Sequence, residues 1–251
     1  MPAAKPSRRS SGRVERSRAE PADLSREKVV EAALQLIDRE GLAGFSLRRL
    51  AASLGVYPAA VYWHLGRRNE ILAALVDRVL EGVGTTEASA PWDEALRQIC
   101  FAYRAALQRH PNVAPLLGAD LTSNLGVPLD FVENVFAALR RGGFEGERLV
   151  EAYNVFVGAL AGFVTLELSE PPAEDRRAWT EMQSARSETL DPKAFPTLSG
   201  LTAEQKGTAL VLRWTGGRAQ PLDAAFELLC ETLVSGIRRR LRTPSRNSGK
   251  T

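Results

Sequence analysis

Apolar side chains recur along this chain three and four residues apart, the period of one helix face, and no stretch shows the two-residue alternation of a strand. Val30, Ala33, Leu34 and Ile37 form the first such face. Ser25 is placed to cap it, Leu24 and Val29 to staple its start, and Gly41 to stop it. Two short helices are predicted around a turn at Gly55, and a longer one opens near Asn69. That longer helix carries Ile71, Leu72, Leu75, Val76, Val79 and Leu80 and runs to about Val83. Further helical faces span 92 to about 108, 112 to about 117, 128 to about 141, 147 to about 168, and 221 to about 241. Residues 171–200 are rich in Pro, Ser and charge and read as a long excursion with one exposed helix near 174–188. The expected fold class is all-α. Two helical units are expected, an N-terminal one of short helices spanning 24–84, with its tightest pair at 47–66, and a larger one spanning 85–241. Residues 1–23 and 242–251 are expected to be disordered tails.

The turn near residue 55 is the most specific signal. Ser46 is a natural N-cap, and Phe45 and Leu50 occupy the two positions of a hydrophobic staple. Arg49 stands where a full capping box would have Glu or Gln. Ala51 is small where two helices must approach closely, and four residues later Gly55 can adopt the left-handed conformation that starts a turn. Val56 and Val61 supply apolar plugs beneath that turn, and Pro58 falls in the first turn of the next helix, where its missing N–H costs nothing. Two short helices joined so tightly are a device for placing the second in a DNA major groove.

In the run Leu-Arg-Arg-Leu-Ala-x-x-Leu-Gly-Val at 47–56, the Tyr-Trp-His-Leu element at 62–65 and the helix that leaves toward a second domain, the chain resembles the TetR family of transcriptional repressors. The sequence likeness covers about 24–84; beyond it only the helical architecture is shared. The resemblance implies an all-helical homodimer, with a homeodomain-like helix-turn-helix unit at 24–84 (motif 47–66) and a helical regulatory and dimerisation domain at 85–241, that binds a palindromic operator and is released by a small molecule. It also implies roles for residues. Arg48 would reach a base edge or phosphate, with Ser46 and Arg49 beside it at the start of that helix. Tyr57, Pro58, Ala59 and Ala60 would face the groove. Tyr62, Trp63 and His64 would touch backbone or thymine methyls, and Arg67 and Arg68 would hold phosphate near the next helix. Many relatives carry polar residues where this chain has Pro58, Ala59 and Ala60, and a lysine near position 68. Readout is therefore expected to lean on Arg48, Tyr57 and apolar methyl contacts.

Composition shifts this picture little. Of 251 residues, 25% are charged and 44% hydrophobic, an ordinary globular balance. The net charge is +3, and its distribution is uneven: residues 1–84 hold 14 Lys and Arg against 10 Asp and Glu, the remainder 19 against 20. The excess positive charge thus falls on the part expected to meet phosphates. Arg8, Arg9, Arg13, Arg16 and Arg18 in the first tail suit either an arm that follows DNA or a solvated leader. The arginines at 238–242 suit a helix C-terminus, where cations favour the dipole. No apolar run approaches the roughly 20 residues that span a bilayer, and the first residues lack the apolar core of a signal peptide. The expected location is the cytoplasm, with the nucleoid, and no membrane partner is expected. Cys100 and Cys230 read as buried reduced thiols, with a redox switch as the alternative.

Two helices suggest self-association. The element at 147–168 is apolar on more than one face, and Gly158, Ala159, Ala161 and Gly162 permit close approach. With 221–241 and two symmetry mates it would form a four-helix interface; the alternative is that both line one monomer's core. Tyr103, Leu107, Leu117, Phe131, Phe136, Tyr153, Phe156, Phe163 and Trp179 are candidates to line an effector cavity, though aromatics at such positions also serve simply as core. Arg104 and Asn154, polar residues inside apolar helices, are candidates to orient the ligand. His110, at a helix end before Pro111, reads as a surface or capping residue, and no His/Cys/Asp/Glu cluster has metal spacing. No cofactor or metal is expected, and a magnesium–tetracycline inducer is not expected either. A DNA-binding module of the same fold controlled by a protein partner is the second reading. An enzyme is disfavoured by the lack of a phosphate-cradling glycine loop, a G-x-S-x-G elbow and a triad histidine.

Overall fold

Local capping sets the first helices of the computed structural model, which describes residues 24–87, 89–117, 128–168, 176–206 and 222–242. The expected tails at 1–23 and beyond Arg242 lie outside the described residues, as do 169–175 and 207–221 of the connecting stretches. Helix α1 (Arg26–Gly44) opens where the Ser25 hydroxyl accepts the Lys28 N–H at 3.2 Å, and its regular part stops at Gly41, whose φ is 72°. Helix α2 (Leu47–Ser53) opens likewise, with the Ser46 hydroxyl accepting the Arg49 N–H at 3.3 Å. Helices α3 (Pro58–Leu65) and α4 (Arg68–Val79) complete the N-terminal group. The expectation that α4 continues to about Val83 is corrected. Regular helix ends at Val79, and turns containing Gly82 and Gly84 follow. Leu80 and Val83 are buried all the same, so turn residues kept up the apolar pattern and lengthened the predicted helix.

The rest of the chain is a helical body. Helix α5 (Trp92–Arg109) leads into a 3-10 helix (Pro111–Leu117), then α6 (Leu129–Arg141) and α7 (Gly146–Leu168). Helix α8 (Arg176–Glu188), single turns at Pro196–Ser199 and Ala203–Lys206, and α9 (Asp223–Arg242) complete it. The segment at 112–117 is tightened to 3-10 geometry, since Pro115 inside it has no N–H to donate. No strand occurs among the described residues. Helix α5 packs against α6, α7 and α9, burying Leu96, Ile99, Tyr103 and Leu107 with Val135, Leu139, Phe156, Leu160 and Phe226. One contiguous apolar cluster runs from α1 through this body to Ile237.

Two long-range contacts tie the body together. Arg104 on α5 forms a two-pronged ion pair with Glu167 on α7, its Nε donating at 2.9 Å and its Nη2 at 2.5 Å. The same Nη2 reaches Asp223 on α9 at 2.8 Å, and the guanidinium lies 4.6 Å from the Phe226 ring centroid. Glu167 also accepts the Leu222 N–H at 3.0 Å, just ahead of α9. The paired carboxylate holds the Arg104 pKa above its ordinary value. The second contact joins Cys100 to Cys230, distant in sequence and both fully buried. The hydrogen bond between the two thiols, with burial, pushes Cys100 up, and the same bond holds Cys230 down.

Helix α7 corrects another expectation. By length and composition it is apolar enough to cross a bilayer. One flank, Ala152, Phe156, Leu160, Val164 and Leu168, is buried in the body, and Glu167 is locked to Arg104. That packing makes it a helix of this body, with its other flank exposed.

Candidate nucleic-acid interface

The α2–α3 corner is built from backbone geometry. Gly55 has φ 68°, in the left-handed region, and open space surrounds the position of a Cβ there. Its requirement is therefore conformational, with no steric part. The Gly55 N–H donates to the Ala52 carbonyl at 3.2 Å and the Val56 N–H to the Ala51 carbonyl at 3.0 Å, closing the turn. Leu50, Ala51, Val61 and Leu65 are buried beneath it and Val56 is half-buried. Pro58 is the first residue of α3, and Tyr57 precedes it in extended conformation without capping the helix through its side chain.

With that face committed, the opposite face of α3 stands in solvent. Trp63 is 83% exposed, Tyr57 61% and Tyr62 48%, high values for large aromatics. Pro58 and Ala59 are exposed beside them, while Ala60 and His64 are half-buried. The Trp63 and His64 rings meet edge-on at 5.1 Å.

Arginines frame this face in different ways. Arg48 is exposed on α2. Arg49 pairs with Glu40 at 2.5 Å and donates to the Gly44 carbonyl at 3.1 Å, so it pins α2 to the end of α1. At the far end, the Arg67 N–H donates to the Glu70 carboxylate at 2.5 Å, capping α4 with its own acid. A Cβ at Gly66 would fall 1.6 Å from that carboxylate, and φ there is 72°, so only glycine fits between α3 and α4. The Arg68 guanidinium stands 5.7 Å from the Phe45 ring centroid, which steadies it beside the α2 N-terminus. The Glu70 cap and the Phe45–Arg68 stack were not read from the sequence; Glu three residues after the cap position was the available signal for the first.

The candidate effector residues do not converge on one cavity among the described residues. Arg104 is committed to Glu167 and Asp223, so the expectation that it orients a ligand is corrected in favour of an internal tie. Asn154 lies on the exposed flank of α7, away from these buried residues. Tyr103, Leu107, Leu117, Phe131 and Phe156 are buried core, with Tyr103 against Phe131 at 5.5 Å and its hydroxyl pKa raised by burial. Phe136 stacks on Tyr153 at 4.4 Å, and Phe163 lies 5.7 Å from Phe226. Trp179 is half-buried on α8. A cleft of about 740 Å³ lies instead where α1 and α4 meet the start of α6, and of the residues named only Phe131 lines it. His110 sits at the α5 C-terminus as expected, with Nδ1 2.9 Å from the Asp38 carboxylate. No His/Cys/Asp/Glu group suited to a metal occurs among the described residues.

Comparison with known proteins follows the same division. Residues 29–75 match the family model described as bacterial regulatory proteins, tetR family. Residues 86–241 match the tetracyclin repressor-like, C-terminal domain. The tetracycline repressor protein class C of Escherichia coli is 31% identical over 221 residues, 85% of this chain and 90% of that one. The HTH-type transcriptional repressor DrrR1 of Streptomyces coeruleorubidus is 28% identical over 205 residues, 76% of this chain and 73% of its own. Among solved structures, the protein ActR of Streptomyces coelicolor in complex with (S)-DNPA superposes with TM-score 0.62 at 25% identity, covering 86% of this chain and 99% of that one. BioQ with its double-stranded DNA operator superposes with TM-score 0.53 at 30% identity, covering 64% and 95%.

Proposed function

The chain belongs to the TetR family of bacterial regulatory proteins, and from that premise we propose that it is a homodimeric repressor that binds a palindromic operator and leaves it when a small molecule binds. The observation behind this reading is the α3 face: three exposed aromatics, with Arg48, Arg67 and Arg68 exposed on the neighbouring elements. A packed scaffold holds that face out, and its aromatic and cationic groups suit base edges, methyls and phosphates. In this reading Arg48, Tyr57 and the methyls of Ala59 and Ala60 meet base edges. Tyr62, Trp63, His64, Arg67 and Arg68 meet the backbone. Ser46 and Arg49 hold the corner that presents them. Residues 24–84 form the DNA-binding unit and 85–241 the regulatory one.

Dimerisation is supported by the exposed apolar residues of α7. Val150, Val155 and Leu166 are exposed there, Gly158 and Gly162 leave open space beside them, and Leu228 is exposed on the neighbouring α9. A second copy laid on that flank brings two α3 helices to grooves about one turn (~34 Å) apart, or a multiple of it. BioQ has been crystallised with its operator and ActR with (S)-DNPA; by likeness to them, DNA and a small molecule are taken as the partners here. Control by a protein partner is not favoured. A DNA-bound regulator of this kind works in the cytoplasm, at the nucleoid.

Selection of bound duplexes from a random pool tests the reading. A twofold-symmetric consensus is the expected outcome, and enrichment of no sequence at modest ionic strength would refute it.

A further inference from the structure

Helix α1 belongs to the DNA-binding group, yet its last regular turn is completed by residues from the body. Carbonyls in such a turn run short of intrahelical partners. The Asn112 side-chain amide donates to two of them, the Ile37 carbonyl at 2.8 Å and the Asp38 carbonyl at 3.0 Å. Those bonds take up both protons an amide nitrogen carries. Beside them, His110 Nδ1 stands 2.9 Å from the Asp38 carboxylate. The 3-10 helix that carries Asn112 is gripped from its other side by α7, where the Thr165 hydroxyl donates to the Ala114 carbonyl at 3.3 Å. Pro111–Leu117 is therefore a short strut between α7, the helix proposed to pair two subunits, and α1, the helix on which α2 and α3 are mounted.

The strut holds α1 by two kinds of force. Val113, Ala114, Leu116 and Leu117 are buried in the apolar cluster that also includes Ile37 and Leu34. That attraction is large but has no direction, and it tolerates sliding and rotation. Hydrogen bonds lose strength quickly with angle, so the forked donation from Asn112 selects one rotation of α1 over its neighbours. Among the described residues, Asn134 donates to the Val83 carbonyl at 3.4 Å and Arg141 to Thr86 at 3.3 Å, contacts that hold the link after α4. They leave the direction of α1 open.

We propose that Asn112, with His110 beside it, is a positioning residue for operator recognition: it fixes the rotation of the α1–α4 group on the body, and with it the separation of the two α3 helices. This inference rests on the dimer and palindrome of the proposed function. A loosened group would still bind each half-site but would lose its preference for one half-site spacing.

The test takes the palindrome recovered by selection and prepares duplexes with one base pair added or removed at its centre. The readout is the ratio of full-length protein's affinity for the parent duplex to that for the altered ones. A variant that is partly unfolded lowers every affinity alike, so the ratio does not report stability. Asn112→Ala is expected to lower the ratio roughly tenfold, and Asp38→Ala, at a side chain 31% exposed, to lower it less. An unchanged ratio in both variants overturns the proposal, and an unchanged ratio in Asp38→Ala overturns it where Asn112→Ala does not fold. A pool that yields only single half-sites removes the dimer reading and this inference together. A palindrome with an unaltered ratio removes this inference alone.

Discussion

Helices α3 and α7 both leave large apolar groups in solvent, but in different company. On α3 the exposed groups are Tyr57, Tyr62 and Trp63, flat rings among arginines, on a helix of eight residues whose other face is fully used. On α7 they are Val150, Val155 and Leu166, aliphatic and set among glycine and alanine, on a helix of 23 residues. Isolated exposed apolar residues need no explanation, whereas a contiguous set points to a missing partner. The company decides which partner. Rings with cations suit bases and phosphates, while aliphatics beside small residues suit another helix at close range. The proposed function gives these two exposed surfaces different partners, DNA for α3 and a second copy of the chain for α7.

Charging the α7 flank should separate the two surfaces most sharply. Val155→Glu combined with Leu166→Glu is expected to give a monomer by sedimentation. Affinity for the full palindrome should fall by as much as about 10⁴-fold, because binding of the second half-site is no longer intramolecular. Helical content by circular dichroism should be unchanged, since neither side chain belongs to the buried core of its own subunit. A dimer that survives both charges would show that α7 is not the pairing surface.

Behind α7 lies the tie that sets its depth in the body. Arg104→Met leaves Glu167, which has no exposed side-chain surface, as a buried charge with one partner lost. Stability should drop by about 3–5 kcal/mol in chemical denaturation. Glu167→Gln combined with Arg104→Met should recover much of that, since the uncompensated charge is then gone. Asp223 contributes little to the balance, because its side chain is 67% exposed and solvent screens it. On α3's side of the comparison, Arg48→Ala should cost about 1–3 kcal/mol of operator affinity without touching the dimer. Relaxed base preference at one position per half-site would mark a base contact. A uniform loss with a shallower salt dependence would mark a phosphate contact.

The two surfaces were unequally legible in the sequence. Ser25, Ser46, Gly55 and Pro58 act through the backbone of their own neighbours, so spacing alone predicts the caps and the turn, and with them the exposed face of α3. Arg104 acts through Glu167, 63 residues away, and a charged residue on an apolar face reads equally as a ligand contact or as half of an ion pair. Asn154 is ambiguous for a related reason: a polar residue on a mostly apolar helix can face solvent or another subunit as readily as a cavity. The Cys100–Cys230 contact and the Asn112 donation across 75 residues depend on which helices meet, which periodicity does not encode. The end of α4 was misplaced because buried turn residues continued the helical pattern.

The cleft at the joint of α1, α4 and α6 is a third surface, neither aromatic-cationic nor aliphatic, and it should give the smallest effect. Asp77 lines it, and burial raises its carboxyl pKa above the ordinary value, with Asp130 adding to the rise and Arg26 opposing it. A carboxyl whose pKa is higher in the folded state binds its proton more tightly there. Its contribution to stability is therefore present at pH below the unfolded value and lost as pH rises through the folded one. At neutral pH the charge is a net cost, so Asp77→Asn should stabilise the protein. Because Asp77 is well hydrated at the cleft rim, the gain should stay below about 1 kcal/mol and raise Tm by about 1–2 °C. The difference between variant and parent should shrink on acidification and vanish once Asp77 is protonated in both states. A variant that is instead less stable than the parent at neutral pH, with the deficit vanishing on acidification, would mean that Arg26 outweighs burial at this site and that the joint is held by a net attraction.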